Sequence, residues 1–107
     1  MKKMTVAFRF LALTPQLGKE LQRNIPTSTL SRHFKTKKVV GCIPVTCRTK
    51  IKQIAEFQRT HSVALADCDV FVSVSTDRDT EIVDVPKIVN RIIKEIDCRV
   101  VFSFTCA

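Results

Sequence analysis

The chain has 107 residues, of which 45% are hydrophobic, and it contains no Trp or Tyr. This length suits one domain with one core, and the hydrophobic content argues against an intrinsically disordered chain. No apolar run approaches the roughly 18 residues of a membrane span. Two lysines precede an apolar stretch, as in a secretion signal, but Arg9 interrupts it and no small-residue cleavage site follows. A strand is therefore expected there.

The net charge of +8 is unevenly distributed along the chain. Residues 1–66 contain 13 Lys and Arg against 2 Asp and Glu, whereas residues 67–107 contain 5 against 8. The sequence therefore predicts two regions of opposite potential, which bear on the choice of partner more than on the fold.

The first half of the chain predicts two strands and a helix. Residues 5–13 are apolar on both alternating faces except at Arg9, which favours an interior strand covered on much of both sides. Thr14 and Pro15 are a typical helix start, and Pro26 ends that helix. An irregular loop is expected over 26–38. A strand follows over 39–45, and Pro44 places it at a sheet edge or an end near that residue.

The second half predicts a helix over 49–65, with segment 61–68 either extending or breaking it. A strand over 69–75 leads into a polar loop, 76–81, or into a hairpin whose second arm is 81–83. Asp84 is the expected N-cap of the last helix. That helix carries one apolar stripe, formed by Val85, Ile88, Val89, Ile92, Ile93 and Ile96. The final strand alternates Val100, Phe102 and Phe104 on one face, which predicts core positions.

The predicted order is β-α-β-α-β-α-β. It corresponds to an α/β or α+β domain with a single mixed four-stranded sheet and helices packed on it. The strand-helix-strand unit at the end predicts a parallel pair.

A basic cluster falls within residues 32–52 and comprises Arg32, Lys35, Lys37, Lys38, Arg48, Lys50 and Lys52. It predicts a surface for phosphates or for an acidic partner; the alternative is a solvated loop followed by the polar side of a helix. Nucleic-acid modules usually add aromatic rings for stacking, and only Phe34 lies within this cluster.

The acidic loop carries Asp77, Asp79 and Glu81. It lacks the glycine and the remaining ligands of an EF-hand, so a calcium site is not expected. A solvated turn is the plain interpretation, and an acidic finger that contacts a cationic protein is the alternative.

Five cysteines, an odd number without a Cys-x-x-Cys pair, predict neither a disulfide framework nor a zinc site and favour a reducing compartment. His33 and His61 have no local catalytic signature, and there is no glycine-rich phosphate loop. The chain is therefore expected not to be an enzyme and to need no cofactor or metal.

Two segments, VAFRFLALTPQLGKELQRNIP and VDVPKIVNRIIKEIDCRVVFSFT, resemble in layout small bacterial toxin-immunity proteins of the contact-dependent growth inhibition type. The resemblance implies a cytoplasmic protein that binds and neutralises a cognate protein toxin in a one-to-one complex. No diagnostic motif is matched, so no functional residue is carried over. The alternative prediction is a small basic nucleic-acid-binding protein that uses the 32–52 cluster.

Overall fold

The structure is a computed structural model that describes residues 3–33, 35–77 and 82–106. Its strands are β1 (Lys3–Leu13), β2 (Thr29–Arg32), β3 (Val39–Val45), β4 (Cys68–Thr76) and β5 (Arg99–Cys106). Its α-helices are α1 (Pro15–Asn24), α2 (Ile51–Thr60) and α3 (Lys87–Glu95), and a 3₁₀ turn covers Leu65–Asp67.

The strands form one mixed sheet in the order β2-β3-β1-β4-β5, with β1 at its centre. The pairs formed among the first four strands are all antiparallel, and these strands with α1 and α2 follow the split βαβ arrangement, β-α-β-β-α-β. β5 extends this sheet by pairing in parallel with β4, as predicted for the last two strands. The predicted four strands are one too few, because β2 lies in the stretch that was expected to be an irregular loop.

All three helices lie on one face of the sheet. Gly18 of α1 faces Leu30 and Val39, and the ring of Phe57 on α2 lies 5.3 Å from the ring of Phe10 on β1. These strand residues share one face in the sheet register, and α3 packs against α2 in the same layer. The core between the helices and the sheet is therefore one-sided.

Close approach of α1 to the sheet depends on a glycine in β3. A Cβ atom at Gly41 would lie 2.3 Å from Cδ2 of Leu21 and 3.3 Å from Cδ1 of Leu13. Both leucines are buried, and a register shift between Phe10 and Leu13 turns Leu13 back towards this core. The small residue thus leaves the space that the leucine side chains fill.

Several predicted helix ends move in the structure. Helix α2 ends at Thr60, so segment 61–68 breaks it. Helix α3 begins after Pro86 and its N-cap makes no side-chain hydrogen bond, so the prediction that Asp84 caps it is wrong. Thr14 does cap α1, because its Oγ1 accepts a hydrogen bond from the Leu17 N–H at 3.2 Å.

The prediction for the strand that contains Pro44 is confirmed only at that end. β3 is an interior strand between β2 and β1, not an edge strand. However, β2 pairs only with residues 39–42, so Pro44 has β1 as its single strand neighbour among the described residues. The missing N–H of proline is tolerated there.

None of the helices in the described part of the chain is long and apolar enough to cross a membrane.

Candidate binding surfaces

The sheet face opposite the α-helices, here called the uncovered face, is the first candidate surface. Alternate residues of β1 distinguish the two faces, because Phe8 and Phe10 are fully buried whereas Ala7 and Arg9 are partly exposed. All three α-helices of the described residues lie on the opposite face of the sheet. The expectation that β1 is covered on both sides is therefore wrong.

One row of directly opposed residues crosses the uncovered face through all five strands: Thr29, Cys42, Arg9, Asp69 and Arg99. The guanidinium of Arg9 donates two hydrogen bonds to the Asp69 carboxylate, at 2.8 and 2.7 Å. This fork geometry is the strongest common form of a side-chain ion pair. It ties the two central strands β1 and β4 together on the side that lacks helices.

Burial of this ion pair is unequal. The side chain of Asp69 is 1% exposed and that of Arg9 is 27% exposed. The hydrogen bonds to Asp69 raise the pKa of Arg9, although burial opposes this rise. The Arg9 guanidinium also lies 4.2 Å from the ring centre of Phe71, the next residue of β4 on this face. Arg9 is thus held by a carboxylate and by an aromatic ring.

Cys42 and Arg99 flank the ion pair in this row. Asp69 is engaged by Arg9, and burial raises the pKa of the Cys42 thiol even though the Arg9 guanidinium opposes that effect. A neutral thiol is a poor nucleophile. Arg99, which lies opposite Asp69 on β5, is exposed and adds an outward positive charge.

The basic cluster over 32–52 does not form one surface. Four of its members lie at or in the turn between β2 and β3: Arg32, Lys35, Lys37 and Lys38, here called the hairpin group. The other three lie beyond the opposite end of β3: Arg48, Lys50 and Lys52, here called the α2 group. The seven residues of β3 separate the two groups by roughly 20 Å, at about 3.3 Å for each residue.

A specific turn holds the hairpin group. The N–H of His33 donates to the Lys38 carbonyl oxygen at 2.8 Å, and Lys37 adopts a left-handed backbone with φ of 56°. Nδ1 of His33 accepts from the N–H groups of Lys35 and Thr36, at 3.2 and 3.3 Å. This ring acts as a turn acceptor, which gives the histidine a structural role. Phe34 lies outside the described residues.

The α2 group borders a groove of about 580 Å³ between the end of β3, the start of α2 and the segment after α1. Arg48 and Lys50 line it, together with the polar residues Thr27, Thr46, Thr49 and Gln53. Lys50 and Lys52 also line a neighbouring depression that Arg91 and Lys94 of α3 border. Cations therefore outnumber acids around the start of α2: Glu95 is the one acidic residue that lines this depression, and the first turn of α2 has none.

The acidic loop is only partly described. Asp77 is exposed directly after β4, whereas Asp79 and Glu81 lie outside the described residues. Within the described ranges, no three His, Cys, Asp or Glu residues are grouped so that they could hold a metal ion.

The cysteines differ in exposure. Cys47 and Cys106 are exposed, and Cys68 is fully buried at the start of β4. Burial, with smaller contributions from the nearby Cys98, Asp67 and Asp69, raises the pKa of Cys68 to about 12. Burial also raises the pKa of Cys98. Neither of these thiols is poised for reaction at neutral pH.

The Arg9–Asp69 pair and the uncovered face were not predicted from sequence. Arg9 was the available signal, because a single charge within an interior apolar strand needs a partner. Asp69 at the start of the next buried strand was the matching acid, but their pairing depends on the β1–β4 register.

Comparison of the chain with protein families, characterised proteins and solved structures gives no match.

Proposed function

We propose that this chain is a non-enzymatic binding protein that neutralises a bacterial protein toxin in a one-to-one complex, with the uncovered face as its docking surface. The observation that supports this proposal is the row across that face, in which a fixed Arg9–Asp69 pair lies beside the exposed Arg99. Rigid sheet backbone presents these groups with little conformational freedom left to lose on binding.

Electrostatics narrow the class of toxin. The outward charges of the row are positive, and the chain carries a net charge of +8. Complementary potentials accelerate association and select partners, so the partner surface is expected to be acidic. This charge argues against a toxin with a basic active site, unless the acidic loop makes the contact. The proposed place of action is the cytoplasm.

The experiment is co-expression of the chain with the product of the adjacent gene. Co-purification in equal amounts and protection of cells from that product are the expected results. A tagged chain that retains no such protein and leaves cells unprotected would refute the toxin proposal.

A matched pair of charge reversals tests the docking surface. Arg99→Glu on the uncovered face is expected to weaken the complex at least tenfold, whereas Lys87→Glu on α3 is expected to leave it unchanged. Both residues are exposed and both changes shift the net charge equally. Equal affinities of the two variants would place the contact elsewhere.

The hairpin group favours a second candidate function, binding of nucleic acid through phosphates. Its four cations lie on one turn at the β2 edge of the sheet. Phe71 is the single aromatic residue on the uncovered face among the described residues, and Arg9 already lies over its ring. Binding would therefore rely on phosphate contacts and be largely independent of sequence.

Salt dependence distinguishes this candidate from the first. With single-stranded oligonucleotides, removal of three phosphate contacts in Lys35→Gln/Lys37→Gln/Lys38→Gln is expected to reduce the slope of log K against log salt by about 2. The control variant is Arg48→Gln/Lys50→Gln/Lys52→Gln, which removes the same charge from the α2 group. Absence of binding to single-stranded and duplex probes at low salt would eliminate the candidate.

A further inference from the structure

The two edges of the sheet are protected very differently. β2 has four residues, ends in Arg32 and lies beside the hairpin group, so it offers a short, charged edge. β5 has eight residues, regular pairing with β4, and no Lys or Pro; its single charge, Arg99, lies at its start. Among the described residues it has a strand neighbour on one side only. A long edge strand with so little charge is a site for pairing with another chain.

Exposed aromatic side chains coincide with this unprotected edge. Phe102 is 45% exposed and Phe104 is 60% exposed, so the prediction that both belong to the core is wrong. They share the helix side of β5 with the partly buried Val100, which packs on the core. Ile82 and Val85, in the segment that leads from β4 to α3, are also exposed. Apolar exposure is therefore concentrated towards the carboxyl end of β5 and the entry to α3.

We propose that two copies of this chain associate through β5, in antiparallel pairing, to form one ten-stranded sheet. A two-fold axis at Ser103 places Phe102 of each copy opposite Phe104 of the other, on the helix side. Both phenylalanine pairs then bury their exposed rings across neighbouring strands, an arrangement that stabilises antiparallel pairs. The two Arg99 side chains lie at opposite ends of the paired strands, so no like charges face each other.

The charge distribution favours a second copy despite the net charge of +8. Residues 15–52 contain nine Lys and Arg against one Asp or Glu, whereas residues 82–106 contain four against three. The first range forms the β2–β3 side of the sheet and the second forms the β5 side. Pairing through β5 therefore joins the nearly neutral edges and keeps the two strongly positive edges farthest apart.

The apolar area exposed on β5 sets the expected affinity of the dimer. A phenylalanine side chain offers roughly 200 Å², so the exposed fractions of Phe102 and Phe104 supply roughly 210 Å² in each copy. A standard stable interface buries about 800 Å² on each partner. The edge backbone adds to the area of the rings but does not bring it to that of a large interface. The dimer is therefore expected to be weak, with a dissociation constant on the order of 10 µM or higher.

Sedimentation over a range of protein concentrations from micromolar to millimolar tests the proposal. The wild-type chain is expected to shift from monomer to dimer, and Phe104→Lys is expected to weaken the dimer at least tenfold. Leu65→Lys is the matched control, because Leu65 is also an exposed large apolar residue, 40% exposed, but lies in the 3₁₀ turn before β4. A wild-type chain that stays monomeric, or equal effects of the two variants, would overturn the proposal.

Hydrogen exchange of the wild-type chain gives an independent readout that does not depend on any variant folding. Amide protection in β5 is expected to increase with protein concentration, while protection in β2 stays constant. Increased protection in β2 would place the contact at the wrong edge. Protection of β5 only after addition of an unrelated extended peptide would identify a peptide-binding edge and likewise overturn the dimer.

Discussion

Removal of Arg9 is expected to destabilise the fold more than removal of its partner Asp69. Arg9→Met leaves a carboxylate at a position that is 1% exposed, with its two hydrogen bonds lost. Loss of one partner from a buried ion pair costs about 3–5 kcal/mol. Because Arg9 itself lies at the partly open surface, we expect the lower end, about 3 kcal/mol. This loss is a large fraction of the free energy of unfolding of a typical domain, which is about 5–15 kcal/mol.

Asp69→Asn leaves the guanidinium without its charged acceptor, but Arg9 is 27% exposed and can turn to water. The expected cost is about 1.5 kcal/mol, in the range for loss of hydrogen bonds to a charged group. In the double variant Arg9→Met/Asp69→Asn no uncompensated charge remains, so we expect a total cost of about 2 kcal/mol. The coupling energy between the two sites is then about 2.5 kcal/mol.

Urea unfolding at neutral pH, with the slope m compared among all four proteins, gives these free energies. Phe71→Leu is the control for the ring beneath Arg9, since it keeps both partners of the ion pair and replaces the ring with a smaller apolar side chain. An Asp69→Asn cost equal to or larger than that of Arg9→Met would refute the argument from unequal burial. Additive single costs would show that the pair is not coupled in solution.

Three further outcomes follow from the helix layer and the buried thiol. Gly41→Ala is expected to lower the free energy of unfolding in urea by about 1–3 kcal/mol, because the new Cβ overpacks against a buried leucine. Gly18→Ala is expected to be nearly neutral, because a gain of about 1 kcal/mol in helix propensity offsets a Cβ contact of 3.0 Å. Thr14→Ala is expected to cost about 1 kcal/mol in the same assay, since it removes the N-cap acceptor of α1. The third test is timed alkylation near pH 8, followed by mass spectrometry. Cys47 is expected to react in the native state, whereas Cys68, whose pKa is raised to about 12, is expected to react only on unfolding. Rapid labelling of Cys68 in the native state would contradict its burial.

Elements with a strong apolar period were predictable from the sequence. The alternating valines of β4 and the cap at Thr14 located their elements to within one or two residues. Strand β2 was missed because its four residues, Thr29 to Arg32, offer one apolar side chain and follow a run of turn-forming residues. Its strand geometry comes from pairing with β3, which is a tertiary effect that local propensity does not report.

The phenylalanines of β5 show a different limit of sequence reasoning. Alternation correctly placed Phe102 and Phe104 on one face with Val100, but it could not show how far the helix layer extends over that face. Helix α3 begins at Lys87, so Val85, the first residue of the predicted apolar stripe, lies two residues before the helix. The hydrophobic period of a strand shows which residues share a face, whereas the burial of those residues depends on which elements cover that face.

The basic cluster is continuous in the sequence and divided in the structure. Arg32 and Lys52 are close in sequence, but the interior strand β3 lies between them. The hairpin group and the α2 group are therefore at opposite ends of β3. A strand converts about seven residues of sequence into roughly 20 Å of separation. A single anionic ligand would therefore have to span roughly 20 Å to touch both groups.

The two proposals use different parts of the same sheet and can fail separately. Pairing of β5 edges extends the sheet within its own plane, so the uncovered face of each copy stays open and both faces lie on the same side of the dimer. Phe104 lies on the helix side of β5, whereas Arg99 lies on the uncovered face. Phe104→Lys should therefore weaken self-association and leave binding of an acidic partner intact, and Arg99→Glu should do the reverse. Loss of both properties in either variant would mean that the edge and the face form one interface.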